Sequence, residues 1–146
     1  MNENTQSWMS ENGYDPDNLD LQGSYGNTAL MKAAREGNAG TVAELLAEGA
    51  DISLKNVDGN TALWLACFGE NPDVVAMLID AGIEIDTPNV NGVTSLMYAA
   101  SSGKENMVRM LLDAGADATV KNPDDFTAVE LAVTPKILKM LRSSAR

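Results

Sequence analysis

Apolar residues along this chain fall in short clusters at helical spacing. Leu30, Ala33 and Ala34 share one helix face, and Val42, Leu45 and Leu46 share the next. The second cluster returns as Val75, Leu78 and Ile79 and again as Val108, Leu111 and Leu112. Glycine punctuates these runs. Gly37 is expected as a left-handed C-cap of the first helix, and Gly49, Gly82 and Gly115 end the second helices. The pattern predicts pairs of short antiparallel amphipathic helices. In the second pair, Asn71-Pro72 predicts a sharp start, with a capping side chain before a proline whose missing N–H costs nothing at the first helical position.

The clusters keep a fixed register. Thr28, Thr61, Thr94 and Thr127 stand 33 residues apart, each preceded at two residues by Gly26, Gly59, Gly92 or Asp125. Each is followed at two by Leu30, Leu63, Leu96 or Val129, and at five by Ala33, Ala66, Ala99 or Ala132. Such a period signals a solenoid of three complete units and a truncated fourth. Each threonine is a candidate N-cap. The linking segments, such as Ala50 to Asn60 with its Asp58-Gly59 turn signal, are expected to project as loops or hairpins. No unit can bury both helix faces alone, so stacking must create the core.

The pattern Gly-x-Thr-Ala-Leu-x-x-Ala, a second helix ending Leu-Leu-x-x-Gly-Ala-Asp, and the 33-residue spacing resemble the ankyrin repeat family over residues 21–142. The resemblance implies an all-α fold, an ankyrin-repeat solenoid of stacked helix-turn-helix units joined by projecting hairpin loops. Repeats are expected at about 23–55, 56–88, 89–121 and 122–142, preceded by an acidic segment at 1–20 and followed by a tail at 143–146. The family's Thr-Pro-Leu-His becomes Thr28-Ala-Leu-Met31, Thr61-Ala-Leu-Trp64, Thr94-Ser-Leu-Met97 and Thr127-Ala-Val-Glu130, and the chain has no histidine. Cohesion built through that histidine must therefore be replaced, chiefly by apolar packing. Lys32, in place of Leu65, Tyr98 and Leu131, marks a first unit that faces water or a thin cap. Thr5 to Asn12 is expected as a short helix stopped by Gly13, with Trp8, Tyr14 and Leu19 capping the stack. Ile137 to Arg142 is expected as a shortened closing helix.

The net charge of −11 disfavours nucleic acid and anionic lipid and favours a protein partner with a basic patch. The charge is uneven. Residues 1–20 carry Glu3, Glu11, Asp15, Asp17 and Asp20 with no Lys or Arg, whereas residues 131–146 carry Lys136, Lys139, Arg142 and Arg146 with no carboxylate. The simplest role of both is to solubilise the ends. No stretch is long and apolar enough for a membrane span, and the opening residues lack a secretion-signal pattern, so the expected location is cytoplasmic. A single cysteine, Cys67, excludes an intramolecular disulfide. The chain is expected to be monomeric when alone.

Candidate chemistry is sparse. Cys67 takes the slot of Ala34 and Ala100, as a small buried residue would. Without histidine there is no common triad and no histidine metal site, leaving carboxylates as the only acids and bases an enzyme would use. Asp15-Pro-Asp17-Asn18-Leu19-Asp20 places Leu19 at a required calcium ligand position and lacks the central glycine and final glutamate. Gly23-Ser-Tyr-Gly26 is followed by no lysine-bearing helix start, so no phosphate cradle forms. No cofactor or metal is expected, and enzymatic activity is not.

The family resemblance implies recognition through a concave surface of hairpin tips and inner helices. Carried onto this chain, the tips offer Tyr25, Asn27, Val57, Asp58, Asn60, Val90, Asn91, Val93, Asp124 and Phe126. The inner helices offer Arg35, Trp64, Phe68 and Ser101. Phe68 stands where other units place Arg35 and Ser101, so an aromatic ring occupies a normally polar, exposed slot, one helical turn after Trp64. Trp64, in the slot of the family's histidine beside Met31 and Met97, and Tyr98, matching Leu65, are expected mainly to pack. The expected function is binding a partner protein as adaptor or regulator. The alternatives are a single-partner inhibitor or immunity protein for a basic enzyme and, less favoured, an enzyme using carboxylates.

Overall fold

The computed structural model describes residues 1–144; Ala145 and Arg146, part of the expected tail and basic end, lie outside the described residues. The chain forms two compact units, Met1–Ile83 and Glu84–Arg146. Helices occupy the predicted clusters, and no named strand occurs among the described residues.

The first unit contains α1 (Glu3–Glu11), α2 (Ala29–Glu36), α3 (Ala39–Ala47), α4 (Ala62–Phe68) and α5 (Pro72–Asp80). Two helix pairs, α2 with α3 and α4 with α5, stack so that α2 packs on α4 and α3 on α5. Leu30, Met31, Leu45, Leu63 and Leu78 are buried between them, each contributing about 1.5–3 kcal/mol. Cys67 is buried in its small slot.

Helix α1 begins two residues earlier than its sequence signal, because Asn2 caps it by accepting from the Thr5 N–H at 2.9 Å. It packs on α3 with Met9 fully buried, while Trp8 and Leu19 are half-buried. Tyr14 is also buried, and its hydroxyl donates to the Asn27 carbonyl at 3.1 Å.

Three of the four threonines cap as expected. Thr28 and Thr94 accept from the N–H of Met31 and Met97 at 3.2 Å, and Thr127 accepts from Val129 at 3.3 Å. Thr61 shares their extended backbone, but its side chain accepts no first-turn N–H. In the slot of the missing histidine, the Met31 sulfur accepts from the Thr28 N–H at 3.5 Å.

Asn71 departs from its expected role. Helix α5 starts at Pro72, but the Asn71 side chain does not cap it. Its amide instead donates to the carbonyl of Ala34 at 3.2 Å, which also accepts from the Gly37 N–H, and to that of Arg35 at 3.4 Å, adding a partner at the end of α2. Gly37, left-handed at φ 72°, must lack a Cβ, which would collide with that amide. The side chain thus ties the second helix pair to the first.

The second unit contains α6 (Ser95–Ser101), α7 (Glu105–Asp113), α8 (Ala128–Leu131) and α9 (Pro135–Ser144). The closing helix is not the shortened one: α9 has ten residues and α8 only four. Proline at 135 disfavours helical backbone at Thr134 and has no N–H to continue α8, so the chain leaves the helix at Ala132 and restarts with Pro135 first. Ile137 and Leu141 then bury one face of α9. Tyr98, expected in the core, is half-buried, with the Lys104 ammonium 5.6 Å from its ring centre.

Candidate protein-binding site

The linking segments close into tight tips held by asparagine. In the first unit the Asn56 N–H donates to the Asn60 carbonyl at 3.0 Å, while Asn56 Oδ1 accepts from Asp58 and Asn60, both at 3.0 Å. Its Nδ2 donates to Asn27 Oδ1 at 3.0 Å, and the Val57 N–H donates to the Tyr25 carbonyl at 3.0 Å, so adjacent tips are bonded together. Gly26, at φ 74°, permits this approach: a Cβ there would lie 3.0 Å from the Val57 nitrogen. At the position matching Asn56, Gly23 leaves room for the Tyr14 ring.

Between these tips and helices α2 and α4 lies a cavity of about 280 Å³, lined by Tyr25, Asn27, Arg35, Asn56, Asp58, Asn60, Trp64, Leu65 and Phe68. Its aromatic side is ordered. Trp64 and Phe68 stack with centroids 6.0 Å apart and planes 12° apart, and the Arg35 guanidinium lies 5.0 Å from the Phe68 centroid. Phe68 is 42% exposed and Tyr25 77% exposed. Tyr25 has φ 58° and ψ 19°, a left-handed conformation unusual for a bulky residue.

Of the residues expected to contact a partner, the cavity brings together Tyr25, Asn27, Arg35, Asp58, Asn60, Trp64 and Phe68. Val57 is exposed on the adjoining tip. Asn60 is buried at 5% exposure rather than displayed, because both its backbone groups are bonded inside the loop to Asn56. Asn56 and Leu65 line the cavity without having been expected there. Asn56 did carry a signal, since Asn89 and Asn122 repeat it at the same interval.

The second unit repeats the tip construction. Asn89 Oδ1 accepts from Asn91 at 2.9 Å and Val93 at 3.0 Å, and Asn122 Oδ1 accepts from Asp124 and Phe126, both at 3.0 Å. Val90, Asn91, Asp124 and Phe126 are exposed there, as is Ser101 at the end of α6, while Val93 is half-buried.

Among the described residues, no helix is long and apolar enough to cross a membrane and no cluster of three His, Cys, Asp or Glu could hold a metal. The family model described as Ankyrin repeats (3 copies) matches residues 2–89, 33–122 and 83–145. The chain belongs to the ankyrin repeat family. Ankyrin repeats are generally protein–protein interaction modules. No curated protein matches the chain. Among its ankyrin repeats, the first two carry the aromatic cavity.

Proposed function

We propose that this ankyrin repeat protein binds a partner protein through its hairpin tips and inner helices, acting as an adaptor or regulator. The observation that carries the reading is the cavity of the first unit, where Tyr25, Trp64 and Phe68 converge beside Arg35 and Asp58. Aromatic and arginine side chains in a partly desolvated pocket have the composition of interface hot spots. A surface held by loop and inter-tip hydrogen bonds loses little entropy on binding. In the second unit taken by itself, Val90, Asn91, Val93, Ser101, Asp124 and Phe126 are the residues proposed for partner contact.

Net charge of −11 favours a partner with a basic patch and opposes phosphate backbones and anionic membranes. One buried thiol is compatible with a reducing, cytoplasmic setting. The protein is a monomer on its own in this reading.

Affinity capture from native lysate tests the proposal, with Phe68→Ala combined with Tyr25→Ala as the control. The wild type is expected to retain partners that the double variant binds at least about tenfold more weakly, with circular dichroism of the two proteins alike. Equal retention would move the site elsewhere. One tight partner in the capture would identify an inhibitor or immunity role, and several an adaptor.

A further inference from the structure

We infer that the Arg35 cavity reads a carboxylate on the partner, an aspartate or glutamate side chain in an extended segment; the inference rests on the protein-binding reading of this site. Two hollows, of about 280 Å³ and about 390 Å³, share Tyr25, Asn27 and Arg35 as lining. A segment running from one to the other passes the guanidinium.

Arg35 is held without being neutralised. Its guanidinium carbon lies over the Phe68 ring, 5.0 Å from the centroid, in a cation–π contact that uses the face of the group and not its N–H donors. Its sequence neighbour Glu36 is engaged elsewhere, paired with Lys32 at 3.0 Å. Among the described residues no carboxylate forms an ion pair with Arg35, although the chain has 21 acidic residues against 10 basic ones. A guanidinium with no ion-pair partner matches a carboxylate through two parallel hydrogen bonds, which a lysine cannot reproduce.

Asp58 on the tip side of the same cavity fixes the direction of the segment. It repels an acid and attracts a base, so the occupant carries its acid toward Arg35 and a basic residue toward Asp58. A basic partner drawn in by the net charge is therefore seated in register by one acidic residue. Trp64 and Phe68 supply the apolar wall against which the intervening side chain packs.

The test is selection of a random displayed peptide library on the full chain, followed by fluorescence anisotropy of labelled selected peptides. Enriched peptides are expected to share an Asp or Glu, to bind Arg35→Gln and Arg35→Lys at least about tenfold more weakly than wild type, and to lose the same factor when that acid becomes an amide. Exchanging the charges, with Arg35→Glu and a basic residue in place of the peptide's acid, should recover part of the loss. Peptides without an acid, or acidic peptides that bind Arg35→Gln undiminished, would overturn the carboxylate assignment. If such peptides still lose binding to the Phe68→Ala and Tyr25→Ala double variant, the site stands and only the ligand chemistry fails. Indifference to every variant, or no enrichment, refutes the carboxylate assignment and the site together.

Discussion

Tyr25 combines three properties that rarely coincide: a large ring, 77% exposure and a left-handed backbone at φ 58°. For a non-glycine residue that backbone costs about 1–2 kcal/mol, and so exposed a ring recovers little by burial. Replacing Tyr25 by asparagine, which tolerates the conformation, should raise stability by about 0.5–1 kcal/mol in urea unfolding while weakening partner binding. A loss of stability would mean that the ring supports the fold. Residue identity alone went far at this scale. Phe68 was legible as a surface aromatic because its slot is polar in the other complete repeats, and it is exposed. Asn60 and Tyr98 were misjudged in opposite directions. Asn60 is buried where Asn56, which recurs as Asn89 and Asn122, bonds its backbone within the loop, and Tyr98 stays half-buried beside Lys104, which no periodicity marks.

Helix α1 shows what sequence patterns leave out at the scale of elements. A short helix near its place was predictable, but the bonds that tie its start to the Glu44 carboxylate of α3 were not. Glu44 accepts from the Asn2 N–H at 2.7 Å and from the Thr5 hydroxyl, and these bonds, the Thr5 hydroxyl first, hold its carboxyl below the ordinary range. A depressed folded-state value contributes stability above the unfolded pKa that is lost as pH falls through the folded one. Acidification should therefore loosen α1 first, seen as a shift of Trp8 emission in a Trp64→Phe background. Glu44→Gln should show the loosened emission already at neutral pH and no acid transition. At the alkaline end the sign reverses. Burial, with a smaller effect from Glu36, raises Tyr14 above its usual 10.0, so its contribution is present below that value and lost as pH rises through the raised one. An acid transition unchanged by Glu44→Gln would show that another carboxylate controls the helix.

Charge is the property that belongs to the whole molecule. With a net −11 and carboxylates on the tips, association with a basic partner should be accelerated at low ionic strength. Raising salt from about 20 mM to about 0.5 M should slow the association rate at least about tenfold and change dissociation far less, as measured by stopped-flow with the captured partner. A rate independent of salt would remove the basic patch from the description of that partner.

The 33-residue register, the helix pairs, their glycine stops and the family were all fixed by local composition and periodicity, because caps and apolar faces are written within a few residues of each other. Which side chains meet was decided only by tertiary structure. Asn71 bonds the end of α2 in the preceding helix pair instead of capping its own helix, α8 rather than α9 is the short helix, and Arg35 of one repeat lies on the Trp64–Phe68 stack of the next. Each depends on groups a full repeat or half a repeat apart, or on a backbone break whose two sides pack separately. Hydrogen-bond partners and ring contacts at that separation are selected by packing geometry, which a residue's own sequence neighbourhood does not contain.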